Sequence, residues 1–255
     1  DDDPASYSAI FDNATFKPSV VDKERLIKSL KQLNEGENID EVIDVDEVIR
    51  YFAVHNFVLN SDSYTGNLIH NYYLAENDGV LSIIAWDYNL AFGGMGGFGM
   101  DRMTGGVNTI TGQTDTNGTV DSATSMVNYP IDSPMLAGSI DDKPMIAWIF
   151  NNKEYLEKYH EVYAEYVEYF TSGKFAQMYD SAIALISPYV EKDPTAFCTY
   201  EDFQAGSFAL REFCLLRAQS ISGQLEGTIA STSDGQTETN SVNFVDASSV
   251  DMESM

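Results

Sequence analysis

Positive charge is scarce in this 255-residue chain: 14 Lys and Arg stand against 40 Asp and Glu, a formal net charge of −26. That balance repels a phosphate backbone unless the cations cluster, and no basic run exists, which argues against nucleic acid as a partner. Long apolar runs are lacking too. No stretch reaches the roughly 18 consecutive apolar residues of a membrane span, and Asp1-Asp2-Asp3-Pro4 is the reverse of a basic, apolar signal peptide. Cysteine is limited to Cys198 and Cys214. The residues between them, Tyr200 to Phe213, read as helix, which at about 1.5 Å per residue sets the two on the order of 20 Å apart, beyond disulfide reach. Both are expected as free thiols of the buried structural kind, since no His or third Cys stands at metal-ligand spacing.

What the chain does have is material for a core. Hydrophobic residues make up 44% of it, with 15 Tyr and 14 Phe, whose large rings offset ordering entropy and imply a globular body of one domain plus loops. From Asp22 to Asn34, Leu26, Ile27, Leu30 and Leu33 share one helical face, with Asp22 as the expected cap and Gly36 beyond the end. A second helix opens at Asp44-Val45-Asp46-Glu47 and runs to Leu59, apolar around nearly its whole circumference and so expected in the core. The pattern then breaks into Asn60-Ser61-Asp62-Ser63-Tyr64-Thr65-Gly66-Asn67, a polar loop. Two aromatic and β-branched runs, Asn71 to Leu74 and Val80 to Trp86, flank the turn signal Glu76-Asn77-Asp78-Gly79 and predict a β-hairpin, with Asp87-Tyr88-Asn89 directly behind it.

Gly93 to Ser125 reads as a long Gly-, Thr- and Asp-rich loop, either functional or mobile. Helices are expected at Met145 to Phe150, Glu154 to Phe170, Phe175 to Ile186 and Tyr200 to about Ser222, the last opened by Thr199-x-x-Asp202. The stripe Tyr155, Tyr159, Tyr163, Tyr166, Tyr169 and Phe170 fits core packing. Asp141-Asp142 fits a helix cap. From Thr228 to Met255 the composition is Ser, Thr, Asp and Asn, and a disordered or loosely docked tail is expected, with Val242, Phe244 and Val245 as its anchors where it docks. Of the histidines, His55 reads as a core residue and His160 as a helix-surface one, while His70, beside the polar loop, stays open.

Stripped of names, the central pattern is a buried helix, a polar loop holding an Asp and an Asn five apart, a hairpin, and a second Asp at a strand end. Phosphoryl transfer needs those parts: one carboxylate to take the proton of the attacking hydroxyl, and hard oxygen donors to hold Mg²⁺ against the nucleotide phosphates. Asp62 and Asn67 reproduce the kinase offset, and Asp87 stands where the hairpin delivers the second metal ligand. The wording Asp62-Ser63-Tyr64-Thr65-Gly66-Asn67, His70-Asn71-Tyr72-Tyr73-Leu74 and Trp86-Asp87-Tyr88-Asn89-Leu90-Ala91-Phe92-Gly93 resembles the CotH kinase family. Asn128-Tyr129-Pro130-Ile131-Asp132-Ser133-Pro134 and Phe197-Cys198-Thr199-Tyr200 resemble its clostridial branch.

The resemblance implies an α+β, mainly helical, divergent protein kinase-like fold, with residues 1–227 as a catalytic lobe carrying a small β-hairpin and 228–255 as the acidic tail. It implies an atypical protein kinase, of Ser/Thr type, using ATP and Mg²⁺ (or Mn²⁺) on Ser-rich spore-coat proteins, located in the spore coat by assembly from the mother-cell cytoplasm or, alternatively, at the surface or secreted. Asp62 is then the catalytic base, Asn67 and Asp87 are metal ligands, and Asn71 and Asn89 are candidates for cofactor binding. Asn60-Ser61 replaces the His-Arg before the catalytic Asp of ordinary kinases and Tyr88-Asn89 the Phe-Gly after the metal Asp. No Gly-rich strand-turn-strand with a strand Lys precedes Asp62, so the chain is expected to begin after a nucleotide lobe that would act as its partner. Gly93 to Gly99 does not replace that lobe, because no Lys-Ser/Thr follows it. Two rivals remain: a non-catalytic kinase-like module for coat assembly or surface adhesion, and a metal-dependent phosphohydrolase.

Overall fold

The computed structural model describes residues 2–66, 69–93, 121–135, 138–239 and 242–255. Its helices, in chain order, are α1 (Ser8–Asp12), α2 (Val20–Glu35), α3 (Val45–Phe57), α4 (Ser122–Val127), α5 (Ala147–Asn151), α6 (Lys153–Thr171), α7 (Lys174–Val190), α8 (Tyr200–Leu225) and α9 (Ser233–Glu238). Among the described residues one antiparallel pair, β1 (Tyr72–Asn77) and β2 (Val80–Ala85), forms the sheet. The architecture is therefore α+β and mainly helical. None of the described helices is long and apolar enough to cross a membrane. The chain divides into two compact units, the first made of Asp1–Val54, Asn71–Asp87 and Gly138–Tyr159, the second of His55–His70, Tyr88–Ala137 and His160–Met255.

In the first unit, Asn77 pairs with Val80 across a two-residue turn in which Asp78 (φ 53°) and Gly79 (φ 93°) are both left-handed. This is the turn whose twist matches a hairpin's strands. Helix α2 is fastened to it: Glu76 accepts from Arg25 Nε (2.8 Å) and from Gly79 N (2.6 Å), and Ser29 Oγ donates to the Gly79 carbonyl (2.6 Å). The cap of α2 is Ser19 rather than Asp22, which instead closes the reciprocal capping box from the third helical position. Ahead of α3 the chain bridges to β2, with Leu81 N donating to Val42 O (2.8 Å) and Asp44 N to Leu81 O (2.9 Å). Asp44 then caps the helix by accepting from Glu47 N at 3.0 Å. Trp148 meets Tyr155 edge-on, and Phe150 meets Tyr159, so the first part of the aromatic stripe is core, as its spacing predicts.

The second unit is built around α8, whose capping box at Thr199 and Asp202 forms as expected. Its Arg217 is fully buried and donates to the carbonyls of Val127 (3.0 Å) and Tyr129 (2.6 Å) and to Asn56 Oδ1 (3.3 Å). Gln224 accepts from Ile131 N, and Asn56 Nδ2 reaches the carbonyls of Pro130 and Ile131. The stretch Asn128 to Asp132 is thus a junction that fastens the last residues of α3 to α8. His160 is not a free surface residue: its Nε2 lies 2.8 Å from Asp132 Oδ1. Phe57 stacks on Phe170 and meets Tyr166 edge-on.

The tail departs from its composition. Its residues after Thr228 are docked, with Ile229, Gln236, Ala247 and Val250 buried while Val242 is exposed. Asn128 makes the attachment, accepting from Val245 N (3.0 Å), donating to Val245 O (2.8 Å) and accepting at its own carbonyl from Gln236 Nε2 (2.7 Å). Amide hydrogen bonds hold the segment together with a few buried apolar side chains, and a rule based on hydrophobic content alone misses the first. Helix α7 likewise runs past the expected Ile186 to Val190, carrying Pro188 in its last turn. Cys214 is buried, with its thiol pushed up to about 12 by desolvation, whereas Cys198 is exposed rather than structural.

Candidate active site

Helix α3 is buried on most sides, as its composition predicts, and ends because Leu59 turns left-handed (φ 47°). The loop beyond it is no solvated turn. Asn60, Asp62, Ser63, Tyr64 and Thr65 are all buried. Asn60 folds the loop on itself: its side-chain oxygen accepts from Asp62 N (3.2 Å) and its carbonyl accepts from Ser63 Oγ (2.7 Å). Gly66 closes the loop by donating to Ser63 O at 3.1 Å. A Cβ on Gly66 would stand 1.7 Å from the Ser61 carbonyl oxygen, so no other residue fits.

Asp62 was expected on a loop open to solvent, yet its side chain is only 9% exposed and lies 3.0 Å from His70 Nε2, itself 48% exposed. The carboxylate is therefore buried beside a neighbour that reaches water. His55 supplies the loop's other support. Its Nε2 meets Ser63 Oγ and its Nδ1 meets the Tyr88 hydroxyl at 3.2 Å. Burial pulls the ring down to about 4, so it is neutral at pH 7. No feature of the sequence marked His55 as more than a core residue; its helix reads as uniformly buried.

Asp87 closes the first unit in a different style. It is exposed, at the end of β2, and its backbone is left-handed (φ 52°). Asn71 is left-handed as well (φ 59°), and since Tyr72 pairs with Ala85, the register sets Asn71 and Asp87 at the same open end of the hairpin. Trp86 and Tyr73 meet edge-on beside them. Asn89 lies exposed in a turn of the second unit. Asn67 falls outside the described residues, as does the Gly-rich segment from Gly94 to Gly99.

The donors available are hard oxygens, which suit Mg²⁺. Among the described residues no three His, Cys, Asp or Glu side chains gather as a metal group. A site of one carboxylate and one amide, completed by nucleotide phosphates, requires no such group. Two cavities fit a nucleotide poorly. One, about 20 Å³ and lined by His55, Asn60, Ser61 and Tyr129, admits only a water-sized body, and the other, about 600 Å³, is walled by Asp40, Asp44, Asp46 and Glu154 and repels phosphate.

The chain is thus mainly helical α+β, with one acid in a buried loop and another exposed behind a hairpin. Residues 1–221 match the family model described as CotH kinase protein, and the chain belongs to that family. Neither a curated protein nor a solved structure matches it.

Proposed function

We propose that the chain is the catalytic part of an ATP- and Mg²⁺-dependent protein kinase that phosphorylates Ser-rich spore-coat proteins in the developing spore coat. The observation that carries this reading is the Asp62 loop, where a polar, functionally ordinary turn is replaced by a buried and internally hydrogen-bonded one that fixes a single carboxylate. In this reading Asp62 accepts the proton of the acceptor Ser hydroxyl as its oxygen bonds to the γ-phosphorus and the bond to the β-phosphate oxygen breaks. The His70 contact keeps the carboxylate aimed. Asp87 and Asn67 would hold Mg²⁺, with Asn71 and Asn89 near enough in sequence to those ligands to serve as contacts to the nucleotide. When bound, the cation neutralises charge on the β- and γ-phosphates. The left-handed backbone at Asp87 supports its part, because strain at an exposed non-glycine residue is retained where function needs the side chain so aimed.

The test is incubation of the chain, with the upstream nucleotide lobe supplied covalently or as a separate fragment, with radiolabelled ATP, Mg²⁺ or Mn²⁺ and a Ser-rich acceptor. Label on serine, lost in Asp62→Asn and in Asp87→Asn, is the expected result. Label that persists in either variant removes that residue from the site, and a wild type that neither binds nor transfers leaves a non-catalytic assembly or adhesion module.

A further inference from the structure

The hydroxyls of Ser63 and Tyr88 belong to the residues directly after Asp62 and Asp87, and His55 touches both. We propose that His55 is a positioning residue: it ties the Asp62 loop to the segment behind Asp87 through one directed chain of hydrogen bonds. The direction comes from donors and acceptors. Ser63 gives its only hydroxyl proton to the Asn60 carbonyl at 2.7 Å, so toward the ring it accepts, and His55 Nε2 must carry the proton. Nδ1 is then a lone pair, and the Tyr88 hydroxyl, 3.2 Å away, donates to it. The order runs from Tyr88 through the neutral imidazole and Ser63 to the Asn60 carbonyl, whose own side chain holds Asp62 N at 3.2 Å.

A purely space-filling role would leave this ring unexplained. At 2% exposure a Leu or Phe would fill the volume without the desolvation cost of two ring nitrogens. The Tyr88 ring also packs edge-on against the imidazole, with centroids 5.9 Å apart, so the hydroxyl is held in line with Nδ1. Neutrality is secured by burial, which holds the group down at about 4. The geometry stands by itself, while its consequence for catalysis rests on the kinase reading. A base misplaced by about 1 Å costs on the order of 100-fold in rate, so loosening this chain reads out in turnover rather than in substrate affinity.

Two measurements on the full chain decide the proposal. Long-range ¹⁵N–¹H spectra of the imidazoles should show His55 as the Nε2–H tautomer with shifts constant from pH 5.5 to 8, and Tyr88→Phe should move the Nδ1 resonance while leaving the fold intact. An Nδ1–H tautomer, a ring that titrates in that range, or an Nδ1 signal indifferent to Tyr88→Phe overturns the linkage. In phosphate transfer with the upstream nucleotide lobe supplied, Tyr88→Phe and His55→Leu should each lower kcat by about 100-fold with KM for the acceptor unchanged, and the double variant should lose little more than either alone. Independent, additive losses, or losses confined to KM, reduce His55 to packing. A wild type without transfer sinks the kinase reading alone, and the tautomer with its response to Tyr88→Phe still decides the linkage.

Discussion

The two acids of the candidate site are held by opposite means. Asp62 stands on a loop whose neighbours are buried and bonded to one another, with Gly66 admitting no side chain and His55 beneath it. Asp87 is exposed, and among the described residues its left-handed backbone and the end of β2 direct it. Under the proposed function the contrast matches the demands of the two tasks. A general base works along one line of approach and gains from rigidity, whereas a metal ligand meets a cation that itself pulls the donors into place. What fixes Asp62 is wiring, and what fixes Asp87 is local conformation.

The strongest test of that contrast is charge removal at both ends. Asp62→Asn and Asp87→Asn should each cut phosphate incorporation by about 1,000-fold, but only Asp62→Asn should lower stability, by about 1 kcal/mol, through its contact with His70. Denaturant melts of the two variants check it, and equal melts break the comparison. Gly66→Ala comes next: the clash with the Ser61 carbonyl should cost about 3 kcal/mol and distort the loop, whereas no single substitution at the Asp87 corner should cost as much.

Acid sharpens the comparison further. His55 sits at about 4 in the fold against an ordinary 6.5, so as pH falls the unfolded chain takes up the proton first. Its contribution is complete above about pH 6.5 and disappears toward pH 4, up to about 3 kcal/mol in all. Melts of wild type and His55→Gln across that window should differ in slope, the variant being flatter, and parallel curves remove the effect. The smallest change is expected at the exposed corner. Asp87→Gly relieves the left-handed backbone and should raise stability by about 0.5 kcal/mol while abolishing transfer, which thermal melts and the labelling assay measure side by side.

Much of the fold was legible in the sequence because local chemistry dictates it. The hairpin comes from an Asp-Gly turn between β-branched runs, α8 from a Thr-x-x-Asp box, and the core part of α6 from aromatic spacing. The loop around Asp62 was legible as a break in an apolar pattern, and its family wording pointed to the acids. Its burial was not, since polarity alone implies a solvated turn, whereas the loop satisfies polar groups internally and through His55. For the tail, composition left two alternatives open and could not choose between them: Asn128 bonds to Val245 over 117 positions, a distance no window of composition spans. The cap of α2 was misplaced from Ser19 to Asp22 because both residues of a capping box are acceptors and either reads as the start.

Arg217 carries a consequence for the order of events during synthesis. It reaches back 161 positions to Asn56, just before the turn that holds Asp62, and joins it to the carbonyls of Val127 and Tyr129. Contacts so far apart form late, because the intervening chain must first close on itself at an entropic cost. Until α8 has left the ribosome, the end of α3 lacks its clasp. A nascent chain that already carries the residues proposed for the site therefore lacks the clasp at the end of α3, which arrives only with α8.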